Sequence, residues 1–454
     1  MNPVDKDILR LALPSILANI TVPIVGMVDM AVSGHLSDSG GGAAAFIGAV
    51  SAGSMIFDLL YWNLSFLRSG TGGITAQAYG RGDFRAAARI AVRSIGVAFA
   101  LSLLVLALQG PFLKAVFLFL DCSPEVKELA VRYFNVRVWA APAAVSLMSL
   151  RGWFIGMQDS VSSMWTDLIV NVVNASASII LTLGIGSWRG IGFPGIAWGT
   201  LLAQYSGLTF ALLTLAFKYR EVFVPLDAGD ILQAFSGPDL RAFFRLNTDL
   251  FVRSLGLTAI YVGFTTISAG LGDLALASGA IIMKILMIFS FFTDGFAYAG
   301  EALCGRYLGM KLRDMVRLSI RKVFVWSLSI AVAFIFIYLW GSMPLVQIMT
   351  PDSEVQAACR SLLPWLLLMP PLGCAAFTWD GIFQGAACSK PIRNSMVFSD
   401  LAFFGIWLVC NSSVASGETG AFHSASMHLL MGAYFAHLLV RAVYLTVKYK
   451  RNAF

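Results

Sequence analysis

Ionisable and amide side chains lie inside otherwise apolar stretches of this sequence, where they are costly. Asp29 stands in the run IVGMVDMAV, shortly after Pro23. A charged group in hydrocarbon costs several kcal/mol, from about 3 upward, so it must face a partner or a water-filled cavity. Proline frees a backbone carbonyl and permits a helix to bend. We therefore predict that Asp29 binds a proton or another monovalent cation on a helix with a hinge at Pro23. The alternative is a structural acid that a neighbour satisfies.

A polar stripe follows on a later helix. Its members, spaced i, i+4, i+7 and i+11 and hence on one helix face, are Asp167, Asn171, Asn174 and Ser178. Carboxylate, amide and hydroxyl oxygens are ligands for hard cations. The stripe predicts a cation-coupling site with Asp29, and the alternative is interhelical hydrogen bonding, worth about 0.6 kcal/mol per bond.

The second half of the chain carries a further polar set that we expect to contact substrate. It comprises Asp294, Tyr298 and Glu301 on one helix face, Asp380 and Gln384 one turn apart, and Lys284 as the counter-ion of one of these acids. Asp249 and Arg253 are i, i+4 neighbours, which predicts that they pair with each other. Predicted helices seven, eight, ten and eleven together hold five acids, namely Asp249, Asp294, Glu301, Asp380 and Asp400, against Arg253 and Lys284, which favours a cationic substrate.

Three arginines in the first half, Arg68, Arg137 and Arg151, are available to neutralise the buried acids Asp29, Asp58 and Asp167. The sequence leaves open which arginine meets which acid.

Composition defines the elements that must position these groups. The 454 residues are 58% hydrophobic and 13% charged, with a mean hydropathy of +0.76, which is typical of a membrane protein. Apolar stretches of about 20 residues recur along the chain, which predicts an all-α protein of about twelve transmembrane helices. The longest polar stretch is too short to bury a core. We expect an N-lobe of helices 1–6 at residues 1–217, a cytoplasmic connector at 218–245, and a C-lobe of helices 7–12 at 246–454.

The net charge of +7 reflects topology rather than nucleic-acid binding. Basic residues follow the even-numbered spans, as with Arg81 and Arg85 or Lys311 and Arg313, while the intervening connectors hold few. The positive-inside rule then places both termini in the cytoplasm of a multi-pass inner-membrane protein. The sequence has no HExxH, no GxSxG and no cysteine or histidine ligand spacing, so we expect neither an enzyme nor a bound cofactor.

The two halves are related by an internal repeat at an offset of 229 residues. Matching pairs include Gly80 with Gly309, Pro142 with Pro371, Gly152 with Gly381, and Gly156 with Gly385. Six helices separate the copies, so both have the same orientation. This predicts a parallel repeat of two pseudo-symmetric six-helix bundles.

Several runs resemble the multidrug and toxic compound extrusion (MATE) family, in its DinF-like branch. They are LALPSILANITVPIVGMVDMAVSGHL at 11–36, FLRSGTGGITAQAYG at 66–80, GIAWGTLLAQY at 195–205, DGFAYAGEA at 294–302, and DGIFQGA with RNSM at 380–396. The resemblance implies two six-helix lobes, alternating access, and export of drug-like compounds against entry of protons or sodium ions. By position, Asp29 resembles the coupling carboxylate of helix one, Asn174 the helix-five asparagine, and Thr200 the helix-six threonine.

Two departures from the family pattern affect the expected coupling ion. Ser178 stands where many relatives have a second aspartate, and Asp167 lies earlier, where relatives are usually apolar. The sequence thus favours protons over sodium ions. We expect a monomeric antiporter whose partners are small, cationic amphipathic molecules and the lipid bilayer. The alternative is a lipid-linked precursor flippase of the same superfamily, which the acid excess in the second half disfavours.

Overall fold

A computed structural model describes residues 2–36, 43–118, 122–415 and 424–451, and these residues are almost entirely helical. The bilayer explains this preference, because a helix satisfies its own backbone hydrogen bonds where water is absent. Eleven helical segments in the described ranges are long and apolar enough to cross a membrane. A twelfth span arises if the pair Ser353–Leu366 and Met369–Gly385, bent by 56°, crosses as one. The prediction of an all-α membrane protein with about twelve spans is confirmed.

The described residues form seventeen α-helices, which are numbered in chain order. Those up to the connector are α1 Pro3–Gly34, α2 Ala43–Leu64, α3 Phe66–Gly80, α4 Phe84–Val116, α5 Pro124–Arg137, α6 Ala141–Gly156, α7 Ser160–Leu183, α8 Pro194–Lys218, α9 Arg220–Phe223 and α10 Ala228–Ala234. The remainder are α11 Gly237–Gly270, α12 Asp273–Gly309, α13 Arg313–Met349, α14 Ser353–Leu366, α15 Met369–Gly385, α16 Ser389–Ala415 and α17 Ser424–Lys450. Polar side chains cap several N-termini and thereby define where those helices begin; examples are Asp83 before α4 and Asp159 before α7.

The described residues form two compact units, and both boundaries fall inside a helix. The N-unit comprises Leu17–Phe243, and the C-unit comprises Met1–Ile16 together with Phe244–Phe454. The first sixteen residues therefore group with the second half of the chain, although α1 continues without interruption into the N-unit. The connector, expected at 218–245, contains α9, α10 and the start of α11, and it groups with the N-unit up to Phe243.

The connector is docked onto α4 of the N-unit rather than loose. Asp230 of α10 accepts a hydrogen bond of 2.7 Å from Arg85 Nε, and Arg93 Nε donates to the Ala234 carbonyl at 2.6 Å. The hydrogen bond from Arg85 lowers the pKa of the Asp230 carboxyl. A lowered folded-state pKa means that this contact stabilises the fold above the unfolded pKa and weakens as the pH falls through the folded value.

The internal repeat is visible as the same backbone crossing in each unit. In the N-unit, a β-carbon at Gly152 of α6 would overlap the backbone of Arg68 in α3. In the C-unit, a β-carbon at Gly381 of α15 would overlap the backbone of Ala297 in α12. Both partners of the first crossing map onto the second by adding 229. The glycines that revealed the repeat in the sequence are therefore conserved between halves because two helices touch there.

We expect Gly381→Ala to destabilise the C-unit by about 1–3 kcal/mol, because the added methyl group meets backbone that cannot move aside. Gly405→Ala is the matched control, since Gly405 is also helical but has no atom within 4 Å of a built β-carbon. That control should be neutral or stabilise by up to about 1 kcal/mol. Thermal unfolding of the purified variants in detergent measures both, and equal midpoints would contradict the crossing.

Candidate functional site

The candidate site lies inside the N-unit, where α1, α7 and α8 meet. We call it the Asp29 cluster and define it by Asp29, Asn174, Ser178 and Thr200. Asp29 is only 6% exposed, and the Ser178 hydroxyl lies within hydrogen-bonding reach of its carboxylate. Asn174 Nδ2 donates to Thr200 Oγ1 at 2.9 Å. The close approach of α8 to α7 depends on Gly199, where any β-carbon would overlap Ser178.

Two buried oxygens of this cluster lack a donor. Within the part of the chain that the structure describes, Asp29 Oδ1 and Asn174 Oδ1 are buried without a hydrogen-bond partner. A buried polar group left unsatisfied costs about 1–3 kcal/mol, and more when it is charged. Both atoms are acceptors, so a proton on the carboxylate or a small cation is the chemical species that would satisfy them. The predicted role of this cluster in cation coupling stays a prediction at this point.

The remaining members of the α7 stripe have other partners. Asn171 Nδ2 donates to Thr21 Oγ1 of α1 at 2.5 Å, so it joins the two helices beside the cluster. Asp167 forms an ion pair of 2.5 Å with Arg151 of α6. The structure therefore brings Ser178 to Asp29 and Asn174 to Thr200, while Asp167 is already neutralised by an arginine.

Arg137 of α5 supplies the positive charge nearest to Asp29. Its Nη1 donates to the Tyr133 hydroxyl at 2.7 Å, and its Cζ lies 4.6 Å from the centroid of the Phe57 ring. The guanidinium interacts electrostatically with both Asp29 and Asp58. It forms no ion pair with either carboxylate within 4.0 Å among the described residues. Asp29 is therefore close to an arginine without being locked to it.

A second buried charge centre occupies the C-unit, and its carboxylate is paired with two arginines. Asp380 of α15 is 3% exposed and accepts hydrogen bonds from Arg253 Nη2 at 2.6 Å and Arg441 Nε at 3.2 Å. Arg253 Nε and Arg441 Nη2 also contact this carboxylate. Arg441, on the last helix and 1% exposed, was missed by sequence reasoning. Its one signal is its position inside the apolar run of α17.

The predicted pairing of Asp249 with Arg253 is wrong. Asp249 instead accepts hydrogen bonds from Ser389 Oγ and Arg393 Nη1, each at 2.7 Å. A pair spaced i, i+4 on one helix gains only about 0.2–0.5 kcal/mol, so contacts across helices readily displace it. With Arg393 and Arg441 included, the five acids counted within predicted helices of this half stand against four bases rather than two. The predicted acid excess is correspondingly smaller.

The other predicted substrate residues are distributed along α12 and α15. Glu301 and Gln384 are buried, whereas Asp294 and Tyr298 are half-buried. Lys284 is exposed and makes no ion pair with any residue in the described ranges, so its expected pairing with a buried acid is not observed. The described residues also contain no group of three or more His, Cys, Asp or Glu side chains that could hold a metal ion.

Comparisons with known proteins show which family this chain resembles. The family model MatE matches residues 14–180 and 250–406. DNA damage-inducible protein F of Escherichia coli (strain K12) is 31% identical over 405 residues, which cover 88% of this chain and 84% of the relative. A probable multidrug resistance protein NorM of Thermotoga maritima is 24% identical over 408 residues, covering 89% and 83%.

Solved structures share the fold at low sequence identity. A structure of a MOP superfamily transporter from Pyrococcus furiosus superposes with a TM-score of 0.83 at 18% identity, covering 99% of this chain and 96% of that one. A structure described as MATE in the bent conformation has a TM-score of 0.83 at 17% identity, covering 100% and 98%. Together with the family match over most of the sequence, these likenesses show that the chain belongs to the MATE family and is a multi-pass membrane transporter of small molecules, not an enzyme.

Proposed function

We propose that the chain is a proton-coupled antiporter that exports small, cationic amphipathic organic compounds by alternating access. One observation carries the proposal: the buried carboxylate of Asp29 has an oxygen without a partner, beside a second unpartnered acceptor on Asn174. An uncompensated acid inside a membrane protein is a functional site by default. The similarity to a probable multidrug resistance protein, NorM of Thermotoga maritima, supports the export of drugs.

The mechanism follows from the two charge states of Asp29. The ionised carboxylate attracts a cationic substrate and holds the N-unit in the substrate-binding state. Protonation removes that charge, favours bending of α1 near Pro23, and releases the substrate. Coupling requires substrate and proton to prefer different states by a few kcal/mol each. The relative described as MATE in the bent conformation supports a bend as one of the two states.

The donor set of the cluster favours a proton over a sodium ion. Asp29 is its single carboxylate, and the Thr200 hydroxyl already donates to the Ile196 carbonyl at 3.2 Å. The nearby guanidinium of Arg137 adds a positive charge that a bare metal cation would face. A proton needs only the carboxylate oxygen, whereas a sodium ion needs several oxygen ligands.

Both termini are proposed to lie in the cytoplasm, with the protein acting as a monomer in the plasma membrane.

The flippase alternative retains one supporting observation, which is the near balance of acids and bases in the C-unit. It predicts recognition of an anionic pyrophosphate, whereas the Asp29 cluster contains a carboxylate. The described ranges contain at most twelve candidate spans. A chain of the flippase class is expected to have fourteen transmembrane helices. We therefore retain drug export as the proposal.

Replacing Asp29 should abolish transport. In everted membrane vesicles, Asp29→Asn is expected to lower efflux of a fluorescent organic cation at least about 10-fold, because the neutral amide cannot exchange a proton. The matched control is Asp239→Asn, which removes an exposed carboxylate whose side chain is 73% accessible. Equal amounts of both variants in the membrane make the comparison valid. Normal efflux by Asp29→Asn would reject the proposal.

Imposed gradients separate the coupling ions. In proteoliposomes, a pH gradient alone should drive accumulation of the fluorescent cation, and a sodium gradient at equal pH should not. Transport driven by the sodium gradient alone would show that the coupling ion is sodium and not the proton. A failure of both gradients, with lipid-linked pyrophosphate translocated instead, would favour the flippase.

Replacing the two buried aspartates, Asp380 and Asp29, should change the stability of the protein by different amounts. Asp380→Asn leaves the buried Arg441 and the half-buried Arg253 without their carboxylate and should cost about 3–5 kcal/mol. Asp29→Asn removes a carboxylate that was not paired, so its effect should stay within about 1 kcal/mol. Thermal unfolding in detergent compares them directly. A larger loss for Asp29→Asn would mean that Asp29 is the structural acid.

A further inference from the structure

Helix α1 is buried along its beginning and again at Asp29, whereas the side chains between residues 19 and 28 are not buried. In its first half, buried residues recur at helical spacing on the face that packs inside the C-unit; they are Val4, Ile8, Leu11, Ala12, Ser15 and Ile16. Contact with α12 is close enough that a β-carbon at Gly295 would overlap Ile16. From residue 19 to residue 28 no side chain is buried, and then Asp29 is.

The middle of α1 also contains its weakest points as a helix. Pro23 cannot donate a backbone hydrogen bond, and Gly26 adds backbone freedom. A β-carbon at Gly26 would meet nothing within 4 Å, so neighbouring side chains do not brace this turn. The hydrogen bond from Asn171 to Thr21 precedes both residues. If the first turns of α1 stay in place, we therefore expect the helix to bend in the segment around Pro23 and Gly26.

A polar anchor holds those first turns within the C-unit. Asp5 Oδ2 accepts from Lys322 Nζ at 3.0 Å, and Asp5 Oδ1 accepts from the Trp326 indole nitrogen at 3.1 Å. Both donors lie on α13, one turn apart, so each carboxylate oxygen has its own partner on the same helix. Asp7 makes a longer contact of 3.4 Å with Arg306 of α12, and both side chains are more exposed than Asp5.

We propose that Asp5 is a positioning residue for transport: its bonds to Lys322 and Trp326 fix the start of α1 in the C-unit. A change of charge at Asp29 then bends the helix at Pro23 instead of shifting it as a whole. This inference rests on the proposed function, in which a change of charge at Asp29 bends α1. It assigns a mechanical role to the first turns of α1, which do not touch the Asp29 cluster. A purely structural alternative is that Asp5 stabilises the helix N-terminus through the helix dipole.

Asp7 lies in the same first turns and shares that dipole, so Asp7→Asn is the matched control. For Asp5→Asn we expect the maximal efflux rate in proteoliposomes to fall at least about 5-fold, while the Kd for the fluorescent cation stays within about 2-fold. Retained binding shows that the protein is folded and that the Asp29 cluster is intact. Asp7→Asn should change neither quantity by more than about 2-fold.

Two further variants test the contact itself. The exchange Asp5→Lys with Lys322→Asp should restore at least half of the lost rate. Trp326→Phe removes one hydrogen bond but keeps the ring, and it should lower the rate less than Asp5→Asn; it also provides the test if Asp5→Asn does not accumulate. A normal rate in Asp5→Asn and Trp326→Phe, or equal losses in Asp5→Asn and Asp7→Asn, would overturn the inference. If Asp29→Asn is inactive, either of these results rejects only the role of Asp5, and the proposed function is retained. If Asp29→Asn is active, the proposed function itself is rejected.

Discussion

The cost of placing a carboxylate in a low-dielectric interior is the constraint on which this structure depends. The chain meets that cost in three ways. Asp380 receives hydrogen bonds from two arginines, Asp167 pairs with Arg151, and Asp29 keeps an oxygen with no partner among the described residues. Breaking a fully paired acid costs several kcal/mol, so such an acid stays charged and fixes its helices. Asp29 is not paired in this way, so its charge can change at lower cost. We assign coupling to Asp29 rather than to Asp400 of α16, whose Oδ1 also lacks a partner among the described residues, because Asp29 lies on the helix that belongs to both units.

Helix α1 gives that charge change a direction. Its first sixteen residues group with the C-unit and the remainder with the N-unit, so a single helix belongs to both. The unbraced turns around Pro23 separate an anchored beginning from the segment that carries Asp29. On this account the protein needs no large rearrangement inside either core, because the movement is concentrated where no side chain is buried. The family's alternating access would then follow from one bistable element that both the proton and the substrate bias.

Much of the fold could be predicted because hydropathy and the repeat are local or periodic signals. The pairs Gly152 with Gly381 and Gly156 with Gly385 recur at one offset because each glycine marks a helix crossing, so sequence spacing records a physical contact. Charge pairing has no such record. Sequence spacing identifies neighbours on the same helix, and it predicted an ion pair between Asp249 and Arg253. In the structure the ion-pair partners of both residues lie on other helices. The contact between Asp380 and Arg441 joins residues 61 positions apart, which no helical period indicates.

The central claim is that substrate and proton compete through Asp29, and proton release measures that competition directly. Addition of a saturating organic cation to the purified protein in weakly buffered detergent, followed with a pH indicator, should release up to about one proton per bound cation. The release should depend on pH and should disappear in Asp29→Asn. Saturable binding without proton release at any pH between about 5 and 8, or unchanged release in Asp29→Asn, would contradict the account.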